Sequence, residues 1–240
     1  AANSEKLPKK LHVKSSVLLA QALKNVKKLT SPRSVAFAIA GLYVGFQKSR
    51  SPAAMSLIQK LADRQIKLYR DNSSTNWQWF EDQLTYSNSR LPESLFLTYL
   101  ATRNHKYLRV AQKTLKFLES ITFEPKHYSP IGESGWYAKN KYRAYFDQQP
   151  EDAAAMAETK LIAFKTTGEE KHLQDALEAF SWFLGKNHLG LMVYNEHTGG
   201  CYDGVGKTGL NINQGAESTL AYLMARLTFE DPEIKSKLRS

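Results

Sequence analysis

The feature that most constrains the fold is a repeat. "ATRNHKYLRVAQKTLKFLE" (101–119) lines up with "TTGEEKHLQDALEAFSWFL" (166–184). At one constant offset Thr102 meets Thr167, Lys106 meets Lys171, Leu108 meets Leu173, Ala111 meets Ala176, Leu115 meets Phe180 and Phe117 meets Trp182. In both segments apolar residues recur at helical spacing after a short polar turn, which predicts an amphipathic helix. Each segment follows a more apolar helical stretch, at 91–101 and 151–165. The repeated unit is therefore a helical hairpin.

A third hairpin lies ahead of these two. Residues 33–48 form its apolar helix, and residues 52–71 form the partner, with Ile58, Leu61, Ala62, Ile66 and Tyr69 on one face. Pro32, Pro92 and Pro150 mark the starts of the apolar helices; proline suits a first turn, where its missing N–H is not needed. A further start falls at Gln214, and residues 14–29 predict one more helix before the series, with Leu19, Leu23 and Val26 on its stripe. A helix apolar nearly all round is touched on most sides; an amphipathic one buries a single face. Alternation of the two predicts hairpins packed around an axis, apolar helices inside. The predicted fold class is all-α, with repeated helical hairpins forming an α/α toroid or an incomplete arc of one. A closed ring of six hairpins would need about 360 residues at this period. The chain has 240, so either the ring is incomplete or the chain is part of a longer protein. The predicted organisation is a basic segment and first helix at 1–33, the toroid at 34–230 and a tail at 231–240.

Composition narrows the partners. The net charge is +10, but residues 1–33 carry eight Lys/Arg against Glu5 alone, and the rest is nearly balanced. This describes a basic segment on an ordinary domain, so nucleic acid is not the expected partner; an anionic membrane surface is another reading of that segment. The single Cys201 excludes a disulfide framework and a multi-cysteine zinc site. His12, His105, His127, His172, His188 and His197 make no metal-binding spacing, and "GGCYDGVGKTG" lacks the phosphate-loop spacing, so no metal or other cofactor is expected. The longest apolar run, Val35 to Phe46, is too short to cross a bilayer, which takes about 20 residues. With no secretory pattern visible, a cytoplasmic location is expected; the abrupt start also fits a cleaved precursor or a fragment.

The long connections all fall between an outer helix and the next inner one, at about 72–90, 122–149 and 188–213. They are rich in tryptophan and tyrosine, which disordered segments lack. In a toroid they converge over one end of the central funnel. There they bring together the acids Glu81, Asp82, Asp147, Asp152 and Glu217, with Asp203 beside them. They also bring the amides Gln148, Gln149, Asn213 and Gln214, together with Arg90. The rings are Trp77, Trp79, Tyr86, Trp136, Tyr137 and Tyr202. Sugar C–H faces pack on rings, while hydroxyls need donors and acceptors together, so this mixture suits a carbohydrate.

Structural readings stand beside these. Acids in a helix's first turn, such as Glu93, Glu151 and Asp152, favour the helix dipole. Gln214 and Glu217 resemble a capping box. Asp147 can cap the helix at Pro150, Arg90 can tie loop to helix, and Trp136 can plug the core.

The strings "WQWFEDQLTYSNSRLPESL", "FDQQPEDAAAM", "GGCYDG" and "NQGAESTLAYL" resemble a bacterial all-helical domain found as the C-terminal part of some group-1 glycosyltransferases or near mannoside-processing genes. That domain is similar in architecture to the six-hairpin glycosidases and the N-acylglucosamine 2-epimerases. The resemblance covers roughly residues 50–228. It implies an (α/α) barrel and a carbohydrate context, with an oligosaccharide or glycan as ligand and a glycosyltransferase domain as a partner. It brings no catalytic assignment. Three functions follow as expectations. The first is a glycoside hydrolase-like enzyme using two acids across the funnel, Glu81 or Asp82 against Asp147 or Asp152, with Glu217 in reserve. The second is a non-catalytic carbohydrate-binding domain of a glycosyltransferase system. The third is a helical scaffold docking through its basic N-terminus.

Overall fold

The computed structural model describes residues 8–238. The part of the basic segment at 1–7 and the end of the tail at 239–240 lie outside the described residues. The helices are α1 (Lys9–Asn25), α2 (Pro32–Ser49), α3 (Pro52–Asn72), α4 (Arg90–Thr102), α5 (His105–Thr122), α6 (Pro150–Thr167), α7 (Glu170–Ser181), α8 (Ala216–Phe229) and α9 (Pro232–Leu238). Four two-residue strands lie in the connections: β1 (Gln83–Leu84), β2 (Tyr137–Ala138), β3 (Gly204–Val205) and β4 (Leu210–Asn211). The fold is all-α, and its hairpins are α2/α3, α4/α5 and α6/α7, as the repeat predicts.

Local chemistry sets the helix ends. Ser31 and Ser51 accept a hydrogen bond from the backbone N–H three residues on, and Pro32 and Pro52 follow at the first helical position. Pro92 is the exception: it is the third residue of α4, still within the first turn, where its missing N–H leaves no bond unmade. Gly168 ends α6 with φ 76°, a left-handed cap that glycine adopts without strain.

The inner helices pack in chain order, α2 on α4, α4 on α6 and α6 on α8, while α3, α5 and α7 lie outside. The run Ala153–Ala157 of α6 is buried throughout, its small side chains (with Met156) letting two inner neighbours approach closely. The outer helices bury single stripes: Ile58, Leu61 and Ala62 on α3; Tyr107, Ala111, Leu115 and Leu118 on α5; Leu173, Ala176 and Ala179 on α7. At the two ends of the arc, Phe37 and Val44 of α2 and Leu220, Met224 and Leu227 of α8 are exposed. The described residues thus form an open arc.

Two expectations change. The predicted apolar stripe of α1 leaves Leu19 and Leu23 exposed, and no residue of α1 is buried. Within the tail, Ile234 of α9 is fully buried against Leu161, Phe164, Leu173 and Ala176 of α6 and α7.

The three long connections are stitched together. β1 pairs with β2, joining the first connection to the second. Gln148 bridges to Val205, joining the second to the third. β3 pairs with β4 within the third. All three therefore meet over the N-terminal ends of α4, α6 and α8.

Candidate functional site

Two cavities sit where the connections meet. One, of about 300 Å3, is lined by Tyr86, Glu133, Trp136, Gln149, Pro150, Glu151, Glu217 and Ser218. The second, of about 470 Å3, is lined by Glu133, Ser134, Asp147, Gln149, Gly204, Val205, Gly206, Gly209, Leu210 and Asn211. Glu133 and Gln149 belong to both, so the cavities adjoin. These volumes lie in the range of about 300–1,000 Å3 usual for small-ligand sites.

Backbone geometry places these side chains. Gly132 lies so close to Phe146 that a Cβ there would fall 2.0 Å from its carbonyl oxygen, so only glycine lets residue 133 reach the funnel. Ser87, Trp136 and Asp147 all have left-handed backbones, with φ of 49°, 55° and 60°. Each adjoins the funnel: Trp136 and Asp147 line it, and Ser87 donates to Glu151 Oε1 at 2.6 Å. Non-glycine residues in that region are strained and cluster at functional sites.

The acids divide sharply. Glu151, at the first turn of α6, lines the smaller cavity, and its Oε2 is buried without a hydrogen-bond partner. Glu217, at the first turn of α8, is exposed to that cavity and has no hydrogen bond or ion pair among the described residues. Glu133 accepts a hydrogen bond from Gln149 at 2.9 Å. Asp147 is exposed in the larger cavity. Its carbonyl oxygen, not its side chain, takes part in a hydrogen bond, accepting from the Glu133 N–H at 3.1 Å.

The remaining predicted acids lie elsewhere. Glu81 is ion-paired with Arg33 at 2.7 Å, and that guanidinium also bonds the Tyr86 carbonyl and Asn88. Asp82 is exposed beside β1 and lines neither cavity. Asp152 is buried behind the funnel wall. Burial, and then its neighbour Glu151, pushes its carboxyl well above the usual range, against the backbone N–H groups of Ser87 and Asn88. A one-residue step along α6 turns the side chain by about 100°. That step separates Glu151, which faces the cavity, from Asp152, which does not.

Several predicted ligand-facing residues are structural. Trp77 and Trp79 are 3% and 0% exposed, packed edge-on against Phe117, Tyr137 and Phe80. They are core: Trp77 packs on Phe117 of α5 and Tyr137 of β2, and Trp79 on Phe80 and Phe117. Tyr137 pairs with Leu84 and rests on Trp77. Arg90 bridges Glu93 at 2.7 Å and Glu158 at 2.6 Å. Burial works against its charge, but the two carboxylates outweigh that and hold its pKa above the usual value. Gln148 is buried, accepting from Trp182 Nε1 and donating to Ser129 and to the Tyr145 carbonyl. Tyr202 accepts from Asn195 at 2.8 Å.

Asp203 pins the start of α8. It accepts from the Gly215 N–H at 2.8 Å, from Ser218 Oγ at 2.6 Å and from Asn213. Partial burial pushes its carboxyl up, but these bonds outweigh it and hold the pKa below the usual range. Gln214 accepts from Thr198 at 2.7 Å. Of the predicted set, Tyr86, Trp136, Gln149, Asp147 and Glu217 come together in the funnel. Glu133 was not predicted, and the only signal for it is an acid flanked by glycines in "GESG".

One group of residues has metal-ligand spacing. Glu119, His172 and Asp175 place their ligand atoms within 4.8 Å of one another. The fully buried Lys160 ammonium bonds both carboxylates, reaching Asp175 at 2.6 Å. A cation is already there, so these residues do not fit a metal ion. Among the described residues, no helix is long and apolar enough to cross a membrane.

No protein-family model matches the chain, and no curated protein matches it significantly. Solved structures do resemble it. The Lin0763 protein from Listeria innocua is 14% identical with a TM-score of 0.61, over 86% of this chain and 55% of that one. A sugar epimerase from a ruminal bacterium is 11% identical with a TM-score of 0.60, over 87% and 57%. A D-mannose isomerase is 18% identical with a TM-score of 0.55, over 86% and 57%. The chain therefore shares a fold with sugar-processing proteins and spans a little over half the length of each.

Proposed function

We propose that the funnel binds a sugar, and that its carboxylates carry out acid–base chemistry on it. The observation that carries this reading is the smaller cavity. It sets Glu151, with one buried oxygen lacking a partner, beside Glu217, Glu133 and the rings of Tyr86 and Trp136. A buried acceptor left unpaired costs about 1–3 kcal/mol, which a hydroxyl donor would relieve. Sugar hydroxyls are such donors, and the rings suit a C–H face. The adjoining larger cavity shares Glu133 and Gln149 and gives room for a second sugar unit. No histidine lines either cavity, so proton transfer falls to the carboxylates: Glu133, Glu151 and Glu217 around the smaller cavity, and Asp147 in the larger one. The epimerase and isomerase of the same fold favour chemistry on a sugar, and the paired carboxylates suit glycosidic-bond cleavage equally well.

NMR of the full chain incubated with free aldoses and, separately, with short oligosaccharides distinguishes these reactions. New anomeric signals from an aldose indicate epimer or isomer formation, and shortened oligosaccharides indicate hydrolysis. Trp136→Ala should weaken sugar binding about tenfold, because it removes one ring face. Normal sugar binding by Trp136→Ala and Glu151→Gln together would overturn the assignment of this cavity.

A further inference from the structure

A third cavity, of about 380 Å3, lies behind the funnel wall and is not part of it. Its walls come from the connection after α5 (Pro125, Lys126, His127), from Tyr145 and Phe146, and from His188. The segment 145–149 divides the two sites. Asp147 and Gln149 face the funnel cavities, whereas Tyr145, Phe146 and Gln148 line this one.

The chemistry of the walls differs from that of the funnel. Two aromatic rings and two imidazoles bound the space. The His188 ring meets Phe146 edge-on at 5.5 Å, and its Nε2 hydrogen-bonds the Gly206 carbonyl at 3.0 Å. A carbonyl oxygen only accepts, so His188 Nε2 donates this bond. The His127 imidazole has its pKa lowered, first by burial, which favours the neutral ring.

The charge is one-sided. Glu124, the only carboxylate in the wall, is ion-paired with Arg143 at 3.0 Å. The remaining bonds of Arg143 go to Ser129 and to backbone carbonyls, and its guanidinium lies over Tyr145 at 4.4 Å. Lys126 in the wall and Lys207, whose ammonium lies 5.7 Å from the Phe146 ring centre, have no carboxylate partner among the described residues. Flat, largely carbon walls, with the Lys126 ammonium in the wall and the Lys207 ammonium near the Phe146 ring, complement a flat ring bearing negative charge.

We propose that this cavity is a second ligand site, separate from the funnel, for a small aromatic or heteroaromatic anion. The ring lies among Tyr145, Phe146, His127 and His188, and the anionic group meets Lys126 and Lys207. A sugar alone does not suit it, because the wall offers few free hydrogen-bonding groups: Gln148 and Ser129 are already used by each other, Trp182, Tyr145 and Arg143.

The test uses the full chain with naphthalene-2-sulfonate, its neutral counterpart naphthalene-2-methanol, and titration calorimetry. The sulfonate should bind saturably at one site. Lys126→Ala combined with Lys207→Ala should weaken the sulfonate about fivefold or more while leaving the neutral compound within about twofold. Phe146→Leu should weaken both. Trp136→Ala, in the funnel, should change neither, which separates failure of this site from failure of the sugar site. The proposal is overturned by any one of three results: no saturable sulfonate binding, equal loss of both compounds in the double lysine variant, or loss of binding in Trp136→Ala.

Discussion

The mouths of α4 and α8 occupy equivalent places in the repeat, and each crowds polar groups at the start of an inner helix. At α4 most of these groups satisfy one another, with Ser89 Oγ and Arg90 Nε the buried exceptions. Arg90 holds Glu93 and Glu158, Thr159 donates to Glu93 and to the Ser89 carbonyl, and Arg33 reaches across from α2 to Glu81, Asn88 and the Tyr86 carbonyl. At α8 Asp203 with its partners and Gln214 with Thr198 are tied up, but Glu217 faces the cavity without a partner. The cause is position in the arc. α4 has inner neighbours on both sides, α2 and α6, whereas among the described residues α6 is the inner helix on which α8 packs. Polar residues enclosed on two sides tend to pair internally, Glu151 of α6 with its unpaired Oε2 being the exception; those at an open side can serve a ligand.

This contrast is tested first where the expected cost is greatest. Arg90→Met should destabilise the protein by about 3–5 kcal/mol, because it strands two buried carboxylates. The Glu158 carboxyl already lies above its usual pKa, since its burial outweighs the pull of Arg90. The loss should therefore shrink as pH falls and the stranded acids take up protons, which chemical denaturation at two pH values would reveal. A loss under about 1 kcal/mol would mean that the α4 mouth is no more closed than that of α8. Trp79→Ala, beneath the connection leading into α4, should cost about 3–5 kcal/mol by opening a cavity beside Phe80 and Phe117. A melting curve matching the parent's would place Trp79 outside the core.

The hairpins were legible because helical periodicity is local: a few residues at the right spacing fix which face is apolar. The site was only half legible, because depth and rotation are not local. "NWQWF" and "GESGW" both read as aromatic loop, yet Trp79 is core and Trp136 lines the funnel, a difference made by the packing of Trp79 on Phe117 of α5. Glu151 and Asp152 both read as first-turn acids. Which of them meets the cavity depends on the rotation of α6, which the packing of α4 and α8 decides. Arg90 looked like a ligand group because its partner Glu158 lies in another helix, beyond the reach of any local pattern.

A smaller effect is expected at the α8 mouth. Asp203→Ala removes acceptors for the Gly215 N–H and Ser218 and should cost about 1 kcal/mol at pH 7, as a lost helix cap does. The folded-state pKa of Asp203 is depressed, so its contribution is present above the unfolded value of about 4 and fades as pH falls through the folded one. The gap between variant and parent should thus close in acid. A gap that widened instead would show that the carboxylate is not what pins α8.

The smallest stability effect, and the most informative for function, belongs to Glu217→Gln. Nothing among the described residues pairs with this carboxylate, so the variant should melt within about 0.5 kcal/mol of the parent, as exposed substitutions usually do. The change is nearly isosteric and keeps a hydrogen-bonding group in the cavity, so sugar binding should fall by no more than about tenfold. It cannot exchange a proton, so if Glu217 acts as acid or base, turnover should drop by at least about a hundredfold. Arg90→Met reverses this pattern, with its loss appearing in the melt. Measuring melts, sugar titrations and turnover on both variants places each helix mouth on one side or the other. Unchanged turnover in Glu217→Gln would shift the chemistry to Glu133, Asp147 or Glu151 and leave Glu217 as a hydroxyl acceptor only. A melt lowered by several kcal/mol would show that the α8 mouth, like that of α4, is part of the frame.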